Sequence, residues 1–256
     1  MNPLAYRWAQ GTLTPVSPLH HVDPDSLLGI DRQKHLFLDN LRQFVLGHPA
    51  NHTLLTGARG TGKSSLVKAA LSVFGDQGLR LVAVSPHDLT DLPEILAPLR
   101  DRQERFALYV DDFSVSASDV RLTALKTALD GGLEAPPDNV LILATSNRRY
   151  LLPTHRSDND EFHWEEGELH PGESTEEKIS LSERFGLWLS FQPFSQAQYL
   201  DAVRLHLAAL QGPALDGETE KLALRWALSR GSRSGRVAHQ FARHHAGQVR
   251  LAAPSP

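Results

Sequence analysis

The chain of 256 residues contains no cysteine, which excludes disulfides and thiolate metal sites and suits a reducing compartment. It has no apolar run approaching the roughly 20 residues that a membrane span needs. Residues 1–28 lack the basic start and long apolar stretch of a secretory leader, so a cytoplasmic location is the expectation. Positive charge is also short overall. The net charge of −4 gives no global pull toward nucleic acid. The acids, however, are absent from one end: residues 221–256 hold seven Lys/Arg and no Asp or Glu, which leaves −11 on residues 1–220. Such a segment can face a triphosphate, an acidic neighbouring subunit or nucleic acid, or be a solvated helix face. The apolar and charged fractions, 41% and 22%, are those of an ordinary globular protein. This length holds one α/β domain plus a small appendage.

Against these absences stands Gly57-Ala58-Arg59-Gly60-Thr61-Gly62-Lys63-Ser64-Ser65. It fits the phosphate-binding P-loop pattern G-x-x-x-x-G-K-[ST], with a strand-like run before it and a helix-like run after it. Glycines let backbone N–H groups turn inward around a phosphate without Cβ clashes. Lys63 is suited to the β- and γ-phosphates, and the Ser64 hydroxyl to Mg²⁺. The helix beginning near Lys63 adds the positive end of its dipole.

The rest of the chain alternates between strand and helix patterns. Residues 1–22 carry Pro3, Pro15 and Pro18 and read as an irregular arm. A helix with Phe37, Leu41, Phe44 and Val45 on one stripe follows, then strands at 53–55, 79–84, 106–110, 140–144 and 187–191. Helices are expected at 63–74, 93–102 and around Leu122, Leu125 and Leu129. This predicts an α/β domain over 23–192, a five-stranded parallel sheet with helices on both faces and ligands at the strand C-terminal ends. Residues 152–178 interrupt it with nine carboxylates, two basic residues and three histidines. That insert is a hairpin, a disordered stretch or a functional loop. His163, Glu165, Glu166, Glu168 and His170 can be assembled into a metal site on paper, although acidic loops are more often simply solvated. From 193 to 247 three helices form a small lid, the first opened by a capping box of Ser195 and Gln198. Residues 248–256 read as a tail.

A P-loop by itself binds a nucleoside triphosphate; hydrolysis needs more. Leu108-Tyr109-Val110-Asp111-Asp112 supplies an apolar strand ending in paired acids, Asp111 for the Mg²⁺ shell and Asp112 for the water. Asn147 stands at the tip of the next strand, where its amide can meet a γ-phosphate or the attacking water. Arg184, before the fifth strand, and Arg236, opening the last helix, offer planar guanidinium groups to transition-state charge.

This arrangement resembles the AAA+ ATPases over about residues 23 to 245. Leu27-Leu28-Gly29-Ile30-Asp31 is similar to the segment that lines the adenine pocket there, which assigns Leu28, Gly29 and Ile30 to nucleotide binding. The P-loop, Asp111-Asp112, Asn147, Arg184 and Arg236 match Walker A, Walker B, the first sensor, the arginine finger and the second sensor. More narrowly, the chain resembles a bacterial AAA+ family of unknown function. Thr56 to Ser65, Ala144 to Arg149, Leu181 to Gly186 and Arg233 to Ala238 carry that match.

The resemblance implies ATP and Mg²⁺ as ligands, and an oligomer in which Arg184 acts in trans, across a subunit boundary. Two departures stand out. Asp112 replaces the usual Glu; being one methylene shorter, it costs on the order of a hundredfold in rate if the water is poorly held. Ser85 to Leu92 lacks the aromatic and glycine of threading pore loops, which disfavours an unfoldase. An ATPase that uses hydrolysis to drive conformational change in an oligomer or partner is the leading expectation. A nucleotide-gated binding module with slow hydrolysis is the second. A DNA-associated loader or remodeller, resting on the acid-free C-terminal segment, is the third.

Overall fold

The computed structural model describes residues 3–114, 119–130, 137–147, 163–165, 168–170 and 183–252. Its centre is a seven-stranded sheet. In chain order the strands are β1 (Ala5–Ala9), β2 (Thr12–Pro15), β3 (Thr53–Gly57), β4 (Leu79–Val84), β5 (Arg105–Val110), β6 (Val140–Ser146) and, after a separate two-stranded pair, β9 (Leu187–Phe191). Their spatial order is β2-β1-β4-β5-β6-β3-β9, parallel throughout except for β2.

The expected five strands are thus present and two more flank them. Both lie in the segment expected to be irregular. Its prolines punctuate strands rather than prevent them: Pro3 precedes β1, and Pro15 ends the edge strand β2, where a missing N–H costs no ladder bond. Gln10 and Gly11, at φ of +52° and +73°, make the two-residue turn between them. Positive φ at both central positions matches the twist of a hairpin. Tyr6 and Trp8 are buried in one core while Arg7 between them is exposed, and Ala5 at the start of the strand is buried in the core on the other face.

The interior strands β3, β5 and β6 are apolar without alternation because both faces are covered. Leu54, Leu108 and Ile142 pack with α3 (Leu92–Leu96) and α4 (Val120–Asp130) on one face. Their neighbours Leu55, Tyr109 and Leu143 pack with α1 (Asp31–Val45) and α2 (Lys63–Phe74) on the other. The expected helix over 93–102 is shorter. It ends at Leu96 and tightens into a 3₁₀ turn over Ala97–Leu99, because Pro98 cannot donate to a continuing helix.

Three helices complete the chain: α5 (Gln196–Ala209), α6 (Gly217–Ser229) and α7 (Gly235–Ala252). The Ser195–Gln198 capping box closes both ways. These helices have their own core of Tyr199, Val203, Leu207, Ala223, Phe241 and Ala242. The last helix runs into what reads as a tail, because Val249, Arg250 and Leu251 continue the turn without a breaker. In the acidic insert, β7 (His163–Glu165) and β8 (Glu168–His170) pair antiparallel, His163 opposite His170. The remainder of 152–178, including Glu166, lies outside the described residues, as do Arg148 and Arg149.

Candidate nucleotide site

Six neighbouring pieces of chain converge at the C-terminal edge of the sheet. β3 ends in Gly57 at φ +128°, and a Cβ there would stand 2.0 Å from the Phe191 carbonyl oxygen of β9. Only glycine lets the two strands lie that close. Gly60 and Gly62 follow with φ of +75° and +104°, curling the loop so that α2 starts at Lys63. The buried Lys63 ammonium donates to the carbonyls of Gly57 and Ala58, both at 2.7 Å, and to Asn147 Oδ1 at 3.1 Å. Burial pushes its pKa down to about 8; Asp112 and Asp111 oppose that shift, and Arg236 and Arg59 add to it.

Ser64 Oγ donates to Asp111 Oδ1 at 2.8 Å. Partial burial works against ionisation of Asp111, but hydrogen bonds, led by the one from Thr145 (2.6 Å) and including that from Ser64, hold its carboxyl below the usual range. Asn147 Nδ2 donates to Asp112 Oδ1 at 2.6 Å, so Asn147 bridges Lys63 and Asp112. Asp112 itself has φ +52°. Asp and Asn tolerate this left-handed region better than longer side chains, which gives the departure from Glu a local backbone reason.

These groups open onto one cavity of about 580 Å³. Leu28, Ile30, Gly60, Thr61, Gly62, Lys63, Ser64, Ser65, Asp111, Asp112, Asn147 and Arg236 all line it. Of the remaining residues singled out in the sequence, Gly57 and Ala58 lie beneath, as acceptors for Lys63. Arg59 stands close enough to depress the Lys63 pKa. Gly29 lies beside the cavity, turned at φ +72° with the Gln198 side chain 3.1 Å from where its Cβ would be. Arg184 is elsewhere: its Nε donates to Asp130 Oδ2 at 2.6 Å at the end of α4.

The helical segment closes the cavity from the other side. The Arg236 N–H donates to the Gly60 carbonyl at 3.4 Å. A Cβ on Gly60 would meet Ser234 Oγ at 2.8 Å. His20, Phe194, His206 and His239 also line the cavity and were not identified from sequence. His206 and His239 meet edge to face with centroids 5.0 Å apart. Burial first, then the neighbouring His239, pushes His206 down to about 4, so it is neutral at ordinary pH. These residues come from an N-terminal segment, the connection after β9 and two distant helices, and no local motif joins them. Of the acid-free segment, Arg236 reaches the cavity; Arg225, Arg243 and Arg250 on the helices, and Arg230 and Arg233 in the turn between them, are exposed.

The chemistry of this donor set fits a nucleotide with a hard cation. Two positive side chains and a helix N-terminus face one end of the cavity. The oxygens of Ser64 and Asp111 lie 2.8 Å apart, a pair of hard oxygen donors that could hold Mg²⁺. Among the described residues no three His, Asp or Glu converge as a separate metal centre, and no helix is long and apolar enough to cross a membrane.

Residues 1–249 match the family model described as "Protein of unknown function (DUF815)". The chain belongs to the DUF815 family. No curated protein sequence matches this DUF815 chain. Among solved structures, a RuvB mutant from Thermotoga maritima is similar, with a TM-score of 0.62 at 18% identity, over 91% of this chain and 68% of that one. Another RuvB structure from the same organism, described as a Holliday junction branch migration motor, gives 0.56 at 15% identity, over 86% and 63%. Orc1 from Aeropyrum pernix, solved in complex with DNA, gives 0.61 at 14% identity, over 91% and 65%. The DUF815 chain therefore spans about two thirds of the length of these structures. They are AAA+ ATPases, and the fold of this DUF815 protein is the AAA+ fold.

Proposed function

We propose that this protein binds ATP with Mg²⁺ and hydrolyses its β–γ phosphoanhydride, using the bond to move the helical segment against the sheet. The observation that supports this most is the meeting of Lys63, the Ser64–Asp111 pair, the Asp112–Asn147 pair and Arg236 around one cavity. In this reading Lys63 and the loop N–H groups take the β- and γ-phosphates. Ser64 and Asp111 would hold Mg²⁺, which when bound would offset the negative charge of the phosphates. Asp112 accepts the proton of the attacking water, Asn147 orients that water, and ADP and phosphate are the products. Leu28 and Ile30 form part of the apolar wall against the base.

Arg236 reaches the γ-phosphate from the helical side, so occupancy is linked to the position of α7. Arg184, tied to Asp130 outside this cavity, acts on the neighbouring copy in an oligomer, whose motion is passed to a protein partner. The test is ATP turnover per subunit across a protein concentration series, with Asp112→Asn and Arg184→Ala alongside. Turnover should rise steeply with concentration and fall at least a hundredfold in both variants. Turnover that is independent of concentration and insensitive to Arg184→Ala would sink the shared site. Binding with negligible turnover in every sample would leave a nucleotide-gated module.

A further inference from the structure

The two carboxylates at the end of β5 depend on a residue of the next strand. Thr145 is 1% exposed beneath them. Its hydroxyl donates to Asp111 Oδ1 at 2.6 Å and accepts the Asp112 N–H at 2.9 Å. Its main-chain oxygen accepts the Phe113 N–H at 2.7 Å. Thr145 therefore grips both sides of Asp112, the residue whose backbone is left-handed.

A hydroxyl has one proton and two lone pairs, so one group can serve an acceptor and a donor at once. A carboxylate and an amide N–H need opposite partners, and Thr145 supplies both from a single atom. We propose that Thr145 is a positioning residue for both acids: its hydroxyl holds the left-handed turn that brings the short Asp112 side chain to Asn147, and fixes Asp111 beside Ser64, where the two would hold Mg²⁺. The proposal rests on the ATP–Mg²⁺ reading. It adds a reason why an aspartate can occupy the water-activating position. The left-handed φ and the bond from the Asp112 amide set the direction of the short side chain, whose carboxylate meets Asn147 Nδ2 at 2.6 Å. Without the hydroxyl, the turn loses its side-chain tether and Asp111 loses one of the bonds that keep it ionised and fixed.

The decisive variant is Thr145→Val, which keeps shape and volume but has no hydroxyl; Thr145→Ser restores the hydroxyl and controls for packing. Two readouts are independent of turnover. In the nucleotide-free protein, Asp112 amide hydrogen exchange should be at least tenfold faster in Thr145→Val and close to wild type in Thr145→Ser. The Mg²⁺ concentration that half-saturates the enhancement of ATP binding should rise about tenfold in Thr145→Val. ATP binding without Mg²⁺ should stay within twofold. Unchanged exchange and an unchanged Mg²⁺ requirement in Thr145→Val would overturn the proposal. Equal losses in the Val and Ser variants would also overturn it, since packing would then be the cause. Absence of any ATP binding in the wild type would instead overturn the nucleotide reading, while the exchange arm would still decide whether Thr145 holds the turn.

Discussion

The two sides of the cavity are built differently. On the sheet side, Lys63, Ser64, Asp111, Asp112 and Asn147 are linked, in part through Thr145, by hydrogen bonds of 2.6–3.1 Å. Lys63 and Ser64 open α2, and the other three directly follow strands buried on both faces. On the helical side, Phe194, His206, Arg236 and His239 belong to a unit with its own core. That unit meets the phosphate loop through a longer bond, Arg236 N–H to Gly60 at 3.4 Å, and the packing of Ser234 on Gly60. One side is therefore fixed by strand pairing before any ligand arrives. The other has its own core, and in the proposed ATPase it is the part that would move against the sheet.

The largest effect should come from breaking the fixed side. Gly57→Ala drives a Cβ to 2.0 Å from the Phe191 carbonyl oxygen at a backbone φ of +128°. A loss of stability above about 3 kcal/mol and of all nucleotide binding is expected, read by thermal unfolding and by titration with ATP. A variant that folds and binds normally would show that the β3–β9 approach is not rigid.

A second prediction probes charge at the junction. Lys63, held near 8 by burial, loses its proton above that pH in the free protein, whereas bound phosphates keep it charged. Binding then takes up a proton, so ATP affinity should fall by about tenfold per pH unit as pH rises above 8. Flat affinity from pH 7 to 10 in a calorimetric titration would refute this.

The smallest effect should come from loosening the movable side. Tyr199 OH donates to the Ala223 carbonyl at 3.0 Å inside the helical core. Tyr199→Phe should cost about 1 kcal/mol, visible as faster amide exchange in α5 and α6 with the sheet amides unchanged. Equal acceleration in β3 and β6 would mean that the two sides unfold as one.

The same contrast explains what could be read from the sequence. Interior strands and the phosphate loop were legible because burial on both faces demands unbroken apolar runs, and the loop demands glycines at set spacings. The paired acids and Asn147 were legible because they end those runs. The β1–β2 hairpin was not: its turn is Gln10-Gly11 rather than Asn-Gly, and one residue in a left-handed conformation without the usual composition leaves little trace. His20, His206 and His239 were out of reach for another reason. Tertiary packing alone brings them to the cavity. The role of Thr145 was hidden too, since a threonine at a strand end is ordinary until its hydroxyl is seen between two acids.

The margins of the sheet carry a consequence for assembly. A strand with a free row of peptide groups invites strand addition from another chain and, with it, aggregation. Here β2 is four residues long and finishes on Pro15, which has no N–H to offer. At the opposite margin, the Ser190 carbonyl of β9 is taken by Gln33 Nε2 at 2.8 Å. Each border thus lacks at least one peptide group that ladder extension would use. In the proposed oligomer this favours contact through side chains, which can be made and broken without exchanging a strand.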